Sequence, residues 1–403
     1  MPQPVMNTLL SPSARTVALL LTGLAGLGSG AASLRAQDVL VRAARIVVAP
    51  DTVLTDGALL VRAGKVAFVG DEIPAETRAN ATLADYGYAT LVPGFVLAQS
   101  TLGRDADLTE TALPFTPDLR AVEAFDPWQE ELLELPSFGI TSVGLSPSAR
   151  NVAGGIAALV KPGEERGVVA TPETFVSLSL SREARNPERP PTSLMGAREL
   201  LREAFATAQA GIALGPDTAI LRQALAGSRR VFVHADTAAE LLATLALAEQ
   251  HQLQPVIVGG RELEKVLDRA VLRGVGVVLD TLRPEARLAA LRLPAVLARA
   301  GVPFCFAGRP AQLRLSAALA LRHGLDRETA LRALTRTPAM LLGQDERVGS
   351  LRQGHAADFV VFDGDPLDLT SRHLATWVDG VRVFGEQPSR TRTNRTTEIA
   401  GER

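Results

Sequence analysis

The stretch RVFVHADTAAELLATLALAEQHQ (Arg230–Gln252) joins two textures. Val231, Phe232, Val233 and Ala235 near its start read as a short strand. Asp236 and Thr237 are candidate helix N-caps, and the Ala/Leu-rich run after them reads as a helix. One strand followed by one helix is half of a βαβ unit. Similar apolar runs, each expected to lead into a helical stretch, occur at ITSVGLSP (140–147), GVVATP (167–172), QPVIVGG (254–260), GVGVVLD (274–280) and VPFCFAG (302–308). Repeated β-then-α units imply a parallel sheet, and about 250 residues is the usual size of a closed (β/α)8 barrel. The expected fold is therefore a TIM-type barrel over 93–343. In such a barrel the working residues sit at the C-terminal ends of strands.

Outward from this core the texture changes. DVLVRAARIVVAP and GALLVRAGKVAFVG near one end, and DFVVFDG and TWVDGVRVFG near the other, are β-branched runs broken by Gly, Pro and Asp. The two ends, 37–92 and 344–387, are expected to pair as a small composite β-sandwich. Residues 1–36 carry Arg15 before TVALLLTGLAGLGSGAA and offer Ala36 before a cut, the pattern of an export signal. The expected location is thus periplasmic or secreted, with no stable membrane span after cleavage. The polar, Thr/Arg-rich segment 388–403 is expected to be disordered.

Of the 403 residues, 42 are basic and 44 acidic, so no field of one sign points to nucleic acid. Aromatic residues make up 4%, too few for base-stacking platforms. Cys305 is the single cysteine and excludes an internal disulfide. It lies between two phenylalanines on an apolar strand and reads as a packed core thiol.

LVPGFVLAQSTLG (Leu91–Gly103) and the distant ALTRTPAMLLGQDERVGSLRQGHAADFVVFDGDPLD, together with NVAGGIAALVKPG and PPTSLMGARELLREAF, resemble the amidohydrolase superfamily in its secreted imidazolonepropionase-like branch. The resemblance runs from about Asp38 to Phe384. It implies hydrolysis of C–N and related bonds by water activated on one or two divalent metals at barrel strand ends, where three or more N/O donors must converge and leave one position open. The family's first strand reads Pro-Gly-Phe-Ile-Asp-x-His-x-His, alternate residues facing one ion. Here the two His positions hold Gln99 and Thr101, and the Asp position holds Leu97. His234 matches the fifth-strand His, and Gly259 falls on the sixth-strand His. Gly308 or Arg309, one register apart, falls on the eighth-strand Asp. Lys161 matches the branch's carboxylated, metal-bridging lysine.

Two survivors are too few ligands for zinc. His234 also reads as a structural histidine, and Lys161 as a solvated loop lysine. Ser100 is a weak replacement nucleophile with no base in view. The resulting expectation is an exported amidohydrolase-like protein that has lost metal catalysis and holds no cofactor. It would serve as a binding or assembly subunit, as a homo-oligomer or beside an active relative, with a small molecule as ligand. The alternative is a working hydrolase of carbon–nitrogen bonds with a weakly bound, zinc-like divalent metal.

Overall fold

The computed structural model describes residues 38–71, 81–211 and 215–385. The segments 1–36 and 388–403, read above as export signal and disordered tail, lie outside the described residues.

The described residues open with five strands, β1 (Val39–Ala49), β2 (Thr52–Arg62), β3 (Lys65–Gly70), β4 (Thr82–Asp85) and β5 (Thr90–Pro93). Next come β6 (Phe95–Ser100), β7 (Ile140–Leu145), β8 (Ala153–Ile156), β9 (Ala158–Lys161), β10 (Val168–Thr171) and β11 (Phe175–Ser179). Helices α1 (Leu194–Ala210) and α2 (Pro216–Leu225) follow. The chain then alternates as the sequence suggests: β12 (Arg230–Ala235), α3 (Ala238–His251), β13 (Pro255–Gly259), α4 (Leu267–Arg273), β14 (Gly276–Asp280), α5 (Leu288–Arg299), β15 (Phe304–Ala307) and α6 (Leu313–Arg322). Helices α7 (Arg327–Arg332) and α8 (Arg336–Leu341) lead into β16 (Phe359–Phe362), β17 (His373–Val378) and β18 (Val381–Gly385).

Three sheets result among the described residues. The two chain ends share the first, eight-stranded sheet, where β5 pairs antiparallel with β16 in the register Leu91↔Val361. Its apolar cluster includes Val41, Ile46, Leu59, Leu91, Phe359 and Trp377. Phe359 stacks on Trp377 at 5.2 Å between ring centroids, and the indole Nε1 donates to the Tyr86 hydroxyl at 2.9 Å. The sharing of strands expected from both ends is thus present, in a single continuous sheet.

The second sheet runs β10-β9-β7-β6 and the third β15-β14-β13-β12-β11-β8. From β11 to β15 every neighbour pair is parallel, as β-then-α connections require. Between β7 and β11 the expected alternation fails. ITSVGLSP forms β7 but leads into β8 and β9 without a helix, and GVVATP forms β10, an edge strand antiparallel to β9. The Gly154-Gly155 pair lies inside β8. The mixed α/β core packs Phe175 on Phe232 at 3.7 Å, and Phe304, Cys305 and Phe306 are buried along β15.

Candidate functional site

The parallel registers align the C-terminal ends of the strands. Ser179 of β11 stands beside His234 of β12, Ala235 beside Gly259 of β13, and Asp280 of β14 beside Ala307 of β15. The end of β6 faces the same space. A cavity of about 350 Å³ opens there, lined by Gln99, Ser100, Thr101, Ser148, Ser181, Glu183, His234, Asp236, Gly259, Arg261, Asp280 and Gly308 among others. Gln99, Thr101, His234, Gly259 and Gly308 are therefore brought together, as strand-end positions should be.

Two expected members are elsewhere. Arg309 is exposed and does not line the cavity; its backbone N–H faces Thr281 Oγ1 at 3.4 Å. Gly308 is the residue of the pair that lines the cavity. Lys161 is at the far end of the strands. Because β9 runs antiparallel to β7, its last residue returns toward the start of β7, away from the mouth. Lys161 is neither a cavity residue nor a solvated one. Its Nζ donates to Asp358 Oδ1 at 2.9 Å and to Asp379, with Lys161 only 3% exposed. Asp379 also donates its backbone N–H to Asp358 Oδ1 at 2.8 Å.

Burial presses the Lys161 ammonium toward neutrality, but Asp358 and Asp379 outweigh it and raise the amine's pKa. Burial also pushes Asp358 up, against the pull of Lys161, so the two partners' directions compete. An ammonium between two carboxylates at hydrogen-bond distance favours the charged arrangement. A carbamate there would add a third negative charge, so this neighbourhood does not suit carboxylation.

At the cavity itself, His234 is half-buried as a residue, while its Nε2 is enclosed and has no hydrogen-bond partner. Desolvation lowers its pKa to about 4, so the ring is neutral at physiological pH. The turn after it is fixed by Glu240, 2% exposed, whose Oε2 accepts from the backbone N–H groups of Asp236 (2.9 Å) and Thr237 (3.0 Å). The Thr237 hydroxyl accepts in return from Glu240 N–H, completing a capping box at the start of α3. Glu240 is held in turn by Arg185. Asp236 pairs with Arg261 at 2.9 Å.

Gly259 has φ +97°, and a Cβ on it would stand 2.6 Å from Asp236 Oδ1. Gly308 has φ +128°, with Thr281 Oγ1 at 3.1 Å from an added Cβ. Both wall positions are shaped for glycine and resist a ligand side chain. Among the described residues no three His, Cys, Asp or Glu side chains are grouped to hold a metal ion. The donor set therefore does not fit the metal centre that the resemblance implies.

Sequence reading missed Asp280, Glu183 and the capping role of Glu240. Asp280 closes GVGVVLD, and a carboxylate at a strand's C-terminal end was the available signal. Thr237 and Glu240 show the T-x-x-E spacing of a capping box. The Ser148 and Ser181 hydroxyls arrive on loops and Glu183 on the single 3-10 turn Arg182–Ala184, segments that carry no periodic signal.

Residues 310–384, from the start of the turn before α6 into β18, match the amidohydrolase family. A 72-residue stretch is 38% identical to the amidohydrolase tasK of Hapsidospora irregularis; it covers 18% of this chain and only 7% of that protein. The likeness to solved structures is far longer. An amidohydrolase from Thermotoga maritima MSB8 superposes with a TM-score of 0.76 at 25% identity, over 86% of this chain and 100% of that one. A β-aspartyl dipeptidase from Fervidobacterium islandicum AW-1, in complex with a β-Asp-Leu dipeptide, gives 0.57 at 12% identity over 89% of this chain and 100% of its own. An adenosine deaminase from Xanthomonas campestris with bound zinc gives 0.51 at 20% identity over 87% and 94%. These last two show a shared fold.

Proposed function

We propose that this chain is an exported member of the imidazolonepropionase-like branch of the amidohydrolases, a barrel with a β-domain from both chain ends, which has lost metal catalysis and works as a binding or assembly subunit. The observation that carries the reading is the strand-end wall. Positions where the family places ligands hold Gln99, Thr101, Gly259 and Gly308, and they share one cavity with a single imidazole, His234. One neutral imidazole supplies one donor where a catalytic zinc takes three from the protein. The shape of the backbone supports the same reading, since Gly259 and Gly308 adopt φ values that a His or Asp would strain.

The working-hydrolase reading is favoured by one specific observation: Asp236 and Asp280 remain on the cavity wall with His234. Metal analysis of the purified chain, followed by turnover assays on amide and cyclic-amide substrates, separates the two. Metal well below one equivalent and no turnover are expected. Stoichiometric zinc or manganese that is lost in His234→Ala would overturn the non-catalytic reading.

A further inference from the structure

Arg185 grips both strand ends at the His234 wall. It follows the short turn Arg182–Ala184 beyond β11. On the β11 side its Nε donates to the Ser181 carbonyl at 3.2 Å, and Leu180, next to Ser181, donates its backbone N–H to the His234 carbonyl at 3.0 Å. Ser181 is tied in turn to the end of β11, its backbone N–H donating to Ser179 Oγ at 3.2 Å. On the β12 side Arg185 Nη2 donates to Glu240 Oε1, while Glu240 Oε2 takes the N–H groups of Asp236 and Thr237. One guanidinium thus joins the ends of β11 and β12 beside His234.

The clamp stands outside the cavity it shapes. Arg185 lines a neighbouring cavity of about 590 Å³, and the two cavities meet where Thr109 Oγ1 of one contacts Ser148 Oγ of the other at 2.9 Å. Glu240 is buried, so its carboxylate depends on Arg185 for a counter-charge. Without that cation a buried anion is stranded, and water is its readiest relief. The fork of a guanidinium is what lets one side chain serve a carbonyl through Nε and a carboxylate through Nη2; a lysine offers a single point donor.

We infer that Arg185 is a positioning residue of the strand-end cavity, a clamp worked from the neighbouring cavity that keeps the β11–β12 wall closed over the His234 ring. The inference concerns how the wall is held, so it goes beyond the binding-subunit reading and does not depend on it.

Proton NMR of the purified full chain reads the clamp through the His234 ring, whose signal is assigned by its loss in His234→Asn. In wild type the enclosed ring takes its proton at a pH of about 4, and burial is the cause. Arg185→Met should admit water and let His234 take its proton at about ten-fold lower proton concentration. Arg185→Lys, which restores the charge without the fork, should fall between the two. Glu240→Gln should move the ring in the same direction as Arg185→Met, and it serves if that variant does not fold. Direction separates opening from charge: losing a cation alone favours the protonated ring, whereas losing an anion alone disfavours it. A His234 titration unchanged in the folded variants, a fall in Glu240→Gln, or a wild-type ring that titrates at the ordinary 6.5 overturns the inference. Stoichiometric metal or turnover in the wild-type chain sinks the non-catalytic reading and leaves the clamp standing.

Discussion

His234 couples the cavity to stability. Its folded pKa of about 4 lies below the ordinary value of 6.5, so the unfolded chain takes a proton that the native ring refuses. The stabilisation is whole above pH 6.5 and is lost as pH falls through the window from 6.5 to 4, about 3 kcal/mol in all. Urea unfolding across that window should show wild type losing stability that His234→Asn retains. Parallel pH curves for the two proteins would mean that the ring is not shut away from water. A second residue-scale expectation concerns the lost ligands. Gln99→His with Thr101→His puts two imidazoles beside His234, and zinc binding should stay weak, because Gly308 supplies no carboxylate. Adding Gly308→Asp should lower stability by about 1–3 kcal/mol through its φ of +128°. Calorimetric zinc titration and melting of the double and triple variants check both outcomes. Gln99, Thr101, His234 and Gly259 were legible through the family resemblance, which places its matched positions at strand ends. Lys161 was misplaced because strand direction is a property of the sheet, and nothing local shows that β9 runs backward.

At the scale of elements, α3 shows how a sequence signal becomes rigid geometry. Thr237 and Glu240 satisfy the free N–H groups at its start, and Gln252 closes it at φ 54° in the left-handed region. Thr237→Ala should cost about 1 kcal/mol. Glu240→Ala should cost more, since it also leaves Arg185 without its carboxylate and frees the Asp236 backbone. Chemical denaturation that ranks the two variants the other way would contradict these roles. The run ETALRALTRTPAMLLG forms two helices. Pro338 in a continuous helix would collide with the carbonyl four residues earlier, so the helix ends at Arg332 and restarts at Arg336, placing Pro338 in the first turn of α8. The alternation from β12 to β15 was legible for the same reason α3 was: each strand and helix has its own period. The β8–β9–β10 excursion has strand texture throughout, and partner and direction are tertiary facts that texture does not carry.

For the whole molecule, the Lys161–Asp358–Asp379 cluster ties β9 to the segment that forms the end of the shared sheet. Lys161→Met should destabilise by about 3–5 kcal/mol, because it leaves Asp358 buried without its counter-ion. Lys161→Met with Asp358→Leu should recover much of that loss. A double variant no more stable than the single one, by denaturant titration, would show that packing around the cluster matters more than its charge. The shared sheet itself has a consequence for how the protein is made. Tyr86 and Trp377, bonded in the finished core, are 291 residues apart in the chain. On the ribosome, β5 waits with an open hydrogen-bonding edge until β16, far along the chain, emerges. An unpaired apolar strand is a template for wrong partners. Until β16 arrives, the nascent chain is open to wrong pairing at the strand that leads directly into the cavity wall, where a holdase would protect it.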